Sequence, residues 1–213
     1  MVTSRAVATA ITSVAAYAHG RVPRAVREHQ VLALAEELFA EQGYAGASMD
    51  ELARRAGVSK PVVYALIGSK EALYRRCVER LGDALAELIT SAAASATTPR
   101  ERVEACALAF FGFVGEHRRL WDALAWDPGP FAADAAAIRR RQDELVALLF
   151  TAAADEQGAV APALQVRALA QAVNGAVEAL ARWWRDHEDV TPETLARWTV
   201  ELLIPGLEGL LTR

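Results

Sequence analysis

Ser48-Met49-Asp50-Glu51-Leu52-Ala53-Arg54-Arg55-Ala56-Gly57-Val58-Ser59-Lys60-Pro61-Val62-Val63-Tyr64-Ala65-Leu66-Ile67-Gly68 is the stretch that decides the fold. Its first four residues have the form of a capping box, in which the Ser48 hydroxyl accepts from the amide three residues on and Glu51 reaches back. That starts a helix of about eight residues, which ends at Ala56-Gly57. Ser59 stands where a second cap is needed, and Pro61 is tolerated in a first turn because its missing amide would be unpaired there anyway. Two short helices that cross steeply need a small residue at their contact, a turn residue between them and a fixed set of buried positions. Ala53, Gly57 and the set Leu52, Ala56, Val58, Val63 and Leu66 supply these, so residues 49–68 read as a helix-turn-helix. A short helical hairpin inside a bundle would use the same Ala and Gly for packing alone.

Outward from this core the pattern stays helical. Upstream, a helix is expected over about 24–42, with Val31, Leu34, Ala35 and Leu38 on one face and Gly43 as its left-handed stop. Downstream, helices are expected over about 70–94, 100–117, 118–127 and 133–156, with Asp127-Pro128-Gly129-Pro130 as a turn. One more opens at Pro162 and another after Thr191-Pro192. No alternating strand of convincing length is present, and 46 of the 213 residues are Ala, which loses no side-chain entropy in a helix. The expected class is all-α with about nine helices. A chain of this length holds one sizeable core or two small ones. The expected segments are an N-terminal extension over 1–20, a three-helix domain over 21–68 and a larger helical bundle over 69–213.

The net charge of −4 argues against a generally basic nucleic-acid binder, but its distribution is uneven. Residues 1–20 carry +1, residues 21–80 carry +2 and residues 81–213 carry −7. The acidity belongs to the second domain and leaves a mildly basic first one. Cys77 and Cys106 have no nearby Cys or His partner in sequence and read as small buried hydrophobes of a reducing compartment. No apolar run reaches 18 residues, so no membrane span is expected. Residues 1–20 are interrupted by Thr9, Thr12 and Ser13 and read as a frayed or helical arm rather than a signal peptide. There is no glycine-rich phosphate loop, metal-ligand spacing or nucleophile elbow. Neither an enzyme nor a cofactor or metal site is expected.

Phe39-Ala40-Glu41-Gln42-Gly43-Tyr44, the capping box and turn through Lys60, Tyr64, and Gly68-Ser69-Lys70-Glu71-Ala72-Leu73 together closely resemble the N-terminal DNA-binding domain of TetR-family transcriptional regulators. The likeness covers about residues 24–73. It implies phosphate contacts at Ser48 and Lys70, both at helix N-termini that favour an anion, and recognition-helix contacts from Ser59, Lys60, Pro61, Val62 and Tyr64. Such a helix offers its N-terminal residues to base edges in the major groove. Where the family usually continues Tyr-His-Tyr-Phe-Pro, this chain reads Tyr64-Ala65-Leu66-Ile67-Gly68. Weaker phosphate anchoring follows, or compensation from Arg24, Arg27 or the extension.

The resemblance also implies an effector-binding and dimerisation domain. Phe110, Phe113, Trp121, Trp126 and Phe131 surround a Pro/Gly turn where a bundle can be held open, with His117 and Arg118 either orienting a ligand or standing as basic residues favoured at a helix C-terminus; a largely apolar or aromatic small effector is expected. Val173, Val177, Leu180 and Trp184, then Leu202, Leu203, Leu207 and Leu210, form the stripes expected to pair with a second copy, and Gly175, Gly206 and Gly209 would allow close approach. Arg139, Arg140 and Arg141 with Asp143 and Glu144 read as a solvated helix face. The expected protein is a cytoplasmic, homodimeric repressor that leaves a palindromic double-stranded operator when the effector binds. The alternative is a helical architectural or protein-interaction protein.

Overall fold

The structure, a computed structural model, describes residues 22–122, 131–156 and 162–206, with Val14, Tyr17, Gly158 and the backbone of 207–211. The described residues form nine helices and no strand: α1 Arg24–Gly46, α2 Met49–Ala56, α3 Lys60–Ile67, α4 Lys70–Ser95, α5 Pro99–Glu116, α6 Arg118–Trp121, α7 Ala132–Glu156, α8 Ala163–Trp184 and α9 Pro192–Leu211. The 127–130 turn, the end of the expected 118–127 helix and most of the N-terminal extension lie outside the described residues.

The chain divides into two compact units, Met1–Leu81 with Glu116–Ala135, and Gly82–Gly115 with Ala136–Arg213. The division falls inside α4, whereas the sequence suggested Gly68-Ser69. The unbroken apolar periodicity of α4 hides it.

In the first unit the expected face of α1 is buried, with Val31, Leu34, Ala35, Leu38 and Phe39 all in the core. Val31, Leu34, Leu38 and Phe39 each contribute roughly 1.5–3 kcal/mol by leaving water. Gly43 has φ 65° and ψ 178°, interrupting α1 one turn before its end. Three ion pairs fasten neighbouring helices to α1: Arg55 to Glu41 at 2.6 Å, Arg80 to Glu36 at 2.9 Å, and Arg76 to Glu28. Glu36 is buried; burial raises its pKa, and the Arg80 guanidinium beside it acts in the opposite direction. An aromatic cluster closes the unit. Tyr74 meets Phe39 at 5.3 Å and Tyr44 at 5.1 Å, both edge-on, and packs on Phe131 at 4.3 Å with the rings tilted by 30°.

In the second unit Phe111, Ala170, Leu195 and Val200 are almost wholly buried. Trp184 meets Phe111 edge-on at 6.3 Å, and its Nε1 donates to the Val190 carbonyl at 2.6 Å. A full capping box stands at the start of α5. Thr98 Oγ1 accepts from the Glu101 amide at 3.2 Å, and Glu101 Oε2 accepts from the Thr98 amide at 3.1 Å. Thr98-Pro99-Arg100-Glu101 carries the S/T-x-x-E spacing that foretells it.

In the 139–144 run Arg139, Arg140, Arg141 and Glu144 are exposed, as expected of a solvated helix face. Two of its charges also reach other helices: Arg141 pairs with Asp83 of α4 at 2.7 Å, and Asp143 accepts from Asn174 of α8 at 2.7 Å. Cys77 is buried, while Cys106 is only half-buried.

Candidate nucleic-acid interface and effector cavity

The helix-turn-helix is built from α2, the Gly57 turn and α3. Ser48 Oγ accepts from the Glu51 amide at 3.1 Å, which is the cap expected. The reciprocal half is absent, because two arginines take the Glu51 carboxylate. Arg54 Nε donates to it at 2.8 Å and Arg55 Nε at 2.8 Å, holding its pKa down to about 2. Gly57 sits at φ 64°, ψ 34°, in the left-handed region that ends α2, and the Val58 amide donates to the Ala53 carbonyl at 3.1 Å. Leu52, Ala53, Ala56 and Val63 are buried as expected. Val58 and Leu66 are only half-buried, and Ile67 fills the core at the end of α3 in their place.

This leaves one face of α3 in solvent. Ser59, Lys60 and Pro61 are exposed, Val62 is 40% exposed and Tyr64 is 43% exposed. Ser59 occupies the cap position of α3 without a side-chain cap bond. The Lys60 ammonium is 2.8 Å from Asp50 of α2. Ser48 is also exposed. Lys70 is held by its neighbours: Nζ donates to the Ala45 carbonyl at 3.4 Å and lies 4.6 Å from the centre of the Tyr44 ring. Ser69 Oγ caps α4 by accepting from the Ala72 amide at 3.1 Å, a cap the sequence reading missed. Arg24 Nη2 donates to the Ala65 carbonyl at 3.2 Å, placing a cation at the carbonyl end of α3. Arg27 Nη1 donates to Gln30 at 2.7 Å.

The second unit contains a cavity of about 710 Å³, within the range that holds a drug-sized molecule. Its walls are mostly apolar and come from α4, α5, α7, α8 and α9, with Leu85, Phe110, Leu149 and Val177 among them. Of the expected ligand-binding set, Phe110 lines this cavity. Phe113 is buried elsewhere in the same unit, and His117, Trp121 and Phe131 belong to the first unit. Phe131 packs on Tyr44 and Tyr74 with the Arg75 guanidinium 5.8 Å from its ring centre. Trp126 lies outside the described residues. The polar lining, Arg102, Gln142, Asn174 and Glu178 among it, was not singled out from sequence. Arg102 pairs with Glu156 at 3.0 Å. Cys106 lines the cavity too, and burial pushes its thiol up to about 11.

The expected dimer residues separate. Val173, Val177 and Leu203 line the cavity, Leu180 is half-buried, Trp184 is in the core, and Leu202 is 63% exposed. The side chains of Leu207 and Leu210 lie outside the described residues. Of the expected set Leu202 stays on the exposed apolar face of α8 and α9, joined there by Trp183 and Trp198. Trp183 and Trp198 lie 6.2 Å apart, and Cβ atoms placed on Gly175 and Gly206 would meet nothing. Among the described residues no helix is long and apolar enough to cross a membrane, and no cluster of metal-ligating side chains forms.

Comparison with known proteins agrees with both units. Residues 31–77 match the family described as bacterial regulatory proteins, tetR family, and residues 99–206 match the tetracyclin repressor-like C-terminal domain. The HTH-type transcriptional activator FasR of Mycolicibacterium smegmatis is 44% identical over 97 residues, 46% of this chain and 44% of that protein. The chain thus matches under half the length of such curated relatives. A TetR-like transcriptional regulator from Rhodococcus sp. RHA1 is 32% identical, with a TM-score of 0.68 over 89% of this chain and 100% of that one. AibR, solved with isovaleryl coenzyme A and operator DNA, is 25% identical, with a TM-score of 0.64 over 84% of this chain and 98% of that one. FasR and the Rhodococcus protein are transcriptional regulators rather than enzymes. The chain belongs to the TetR family of DNA-binding transcriptional regulators.

Proposed function

We propose that the chain is a repressor that binds a palindromic operator as a homodimer and is released by a small, largely apolar effector. The observation that carries the DNA half of this reading is the exposed face of α3. Ser59, Lys60 and Tyr64 can donate to phosphates or base edges, and Pro61 and Val62 can contact thymine methyls. Ser48 and Lys70 would contact phosphate, Lys70 after exchanging its Ala45 contact. Arg24 already donates to α3, so in this reading it positions the recognition helix and adds to the positive field.

The effector half rests on the 710 Å³ cavity and its apolar walls. AibR, of the same fold, was solved with isovaleryl coenzyme A and operator DNA together, which favours a small-molecule effector coupled to DNA binding. The helix α4 supplies both Lys70 and the cavity residue Leu85, so it is the element through which occupancy would reach the DNA-binding end. A switch from 1:99 to 99:1 needs the effector to favour one state by roughly 5.5 kcal/mol. Dimerisation would use Trp183, Trp198 and Leu202, and a dimer sets two recognition helices about 34–36 Å apart on one face of DNA. Work on a chromosomal operator places the protein in the cytoplasm.

Selection of duplexes from a random pool tests the reading. A palindromic consensus is expected, with affinity that falls steeply as salt rises and is lost on Tyr64→Ala. Enrichment of no sequence would overturn it. FasR is called an activator, which favours a second reading in which the bound protein recruits transcription. Transcription in vitro from the selected site separates the two.

A further inference from the structure

An apolar effector accounts for most of the cavity wall but not for Glu178. Glu178 lines the cavity from α8, one turn beyond Asn174. The Asn174 amide is already engaged, donating to Asp143 of α7 at 2.7 Å, and Gln142 of α7 is the neutral polar neighbour on the wall. Three charged groups bear on Glu178: Arg139 and Asp143 from α7 and Arg182 from α8. None of the three lines the cavity, so Glu178 is the charged residue on the wall at this place. Arg100 and Arg102, also on the wall, sit at the start of α5. Arg102 pairs with Glu156, thirteen positions beyond Asp143, or about 20 Å along α7.

We propose, on the reading that this cavity holds the effector, that Glu178 determines specificity and that the effector is an apolar molecule with a protonated amine at the end that reaches α8. A carboxylate inside apolar walls loses hydration and gains most from a counter-charge with hydrogen-bond donors. Burial outweighs the attraction of Arg139 and Arg182 and raises the carboxyl above its ordinary value, so those arginines leave the cost of burial unmet. An ammonium within the cavity supplies three donors and the opposite charge at low effective dielectric. A neutral end of the same size supplies at most one hydrogen bond.

The test is calorimetric titration of the full chain with n-decylamine and n-decanol, equal in chain length. Decylamine is expected to bind at least about tenfold tighter than decanol, and Glu178→Gln to bring the two affinities within about twofold of each other. A second measurement needs no variant. On the unaltered protein, the preference for decylamine should fade as pH is lowered and Glu178 protonates, while decanol binding stays constant. Equal binding of the two probes, or a preference that survives both E178Q and acidification, overturns the assignment. If decanol binds and decylamine gains nothing, the cavity reading stands and this inference falls. If neither probe binds, both fall.

Discussion

The Lys60 ammonium lies 2.8 Å from the Asp50 carboxylate, so the first residue of α3 is tied back to the first turn of α2. Both side chains are substantially exposed, and exposed pairs are weak. The tie is therefore a small bias on where a DNA-reading cation points, not a structural anchor.

Removing the tie should free Lys60 for phosphate. Asp50→Asn is expected to tighten binding to a non-specific duplex a few-fold, since a negative charge leaves the interface and a cation is released. Lys60→Ala should weaken binding to all sequences and flatten the slope of log affinity against log salt by about 1. Fluorescence anisotropy across a salt series reads both. An unchanged slope in Lys60→Ala would place Lys60 away from the phosphates.

The turn makes a second prediction, about stability. Ser48→Ala removes the hydroxyl that accepts from the Glu51 amide and should cost about 1 kcal/mol. Gly57→Ala forces a Cβ onto a left-handed residue, although the added atom would meet no neighbour. The cost is then conformational, about 1–2 kcal/mol, and Gly57→Asn should recover part of it. Denaturant unfolding followed by far-UV circular dichroism measures all three. Equal midpoints for Ala and Asn at position 57 would argue against a conformational origin.

Glu51 makes stability depend on acid. Its folded pKa, about 2, lies below the ordinary 4.5 because Arg54 and Arg55 donate to the carboxylate. The ionised form favours the folded state, so this contribution is complete above about pH 5 and is lost as pH falls from 4.5 towards 2. The stability difference between the unaltered protein and Glu51→Gln should be constant at neutral pH and shrink through that window. A difference that persists at pH 2 would mean the pair contributes by packing rather than charge.

The same helix-turn-helix shows how much was readable in the sequence. The Ser48 cap, the Gly57 turn and the exposed face of α3 all depend on residues within a few positions of one another, and local geometry follows from local chemistry. The Glu51 carboxylate escaped because its partner Arg55 also reaches Glu41, fourteen residues away. In the second unit one pattern of apolar spacing serves three purposes. Val173 and Val177 line a cavity, Ala170 and Trp184 fill a core, and Trp183 and Leu202 face solvent. Adjacent tryptophans thus take opposite roles, which periodicity alone does not separate. Phe131 was grouped with Phe110 on proximity in sequence, but it packs on Tyr44 and Tyr74 across a long loop closure.

The solvent face of α8 and α9 should govern association. Leu202→Glu places a charge on an exposed apolar patch beside Trp198, where it costs an isolated chain little and a dimer much. Sedimentation at micromolar concentration is expected to show a dimer for the unaltered protein and a monomer for the variant. Val177→Ala, on the cavity wall, should leave the dimer intact. A variant L202E that sediments as the unaltered protein does would move the interface elsewhere.

Two glycines of α5 should respond oppositely to the same change. A Cβ added at Gly112 meets nothing within 4 Å, so Gly112→Ala gains only the helical preference of Ala over Gly, about 0.5–1 kcal/mol. A Cβ added at Gly115 would lie 2.9 Å from Trp184 Cη2. The Trp184 ring cannot easily withdraw, since its Nε1 is held by the Val190 carbonyl and its edge rests on Phe111. Pressing on the buried Trp184 ring costs about 1–3 kcal/mol, which exceeds the helical gain, so Gly115→Ala should lower the melting temperature while Gly112→Ala raises it. Trp184→Phe shortens the ring and should make Gly115→Ala less harmful, giving a coupling energy in a double-mutant cycle. Additive effects in that cycle would show that the two residues do not press on each other.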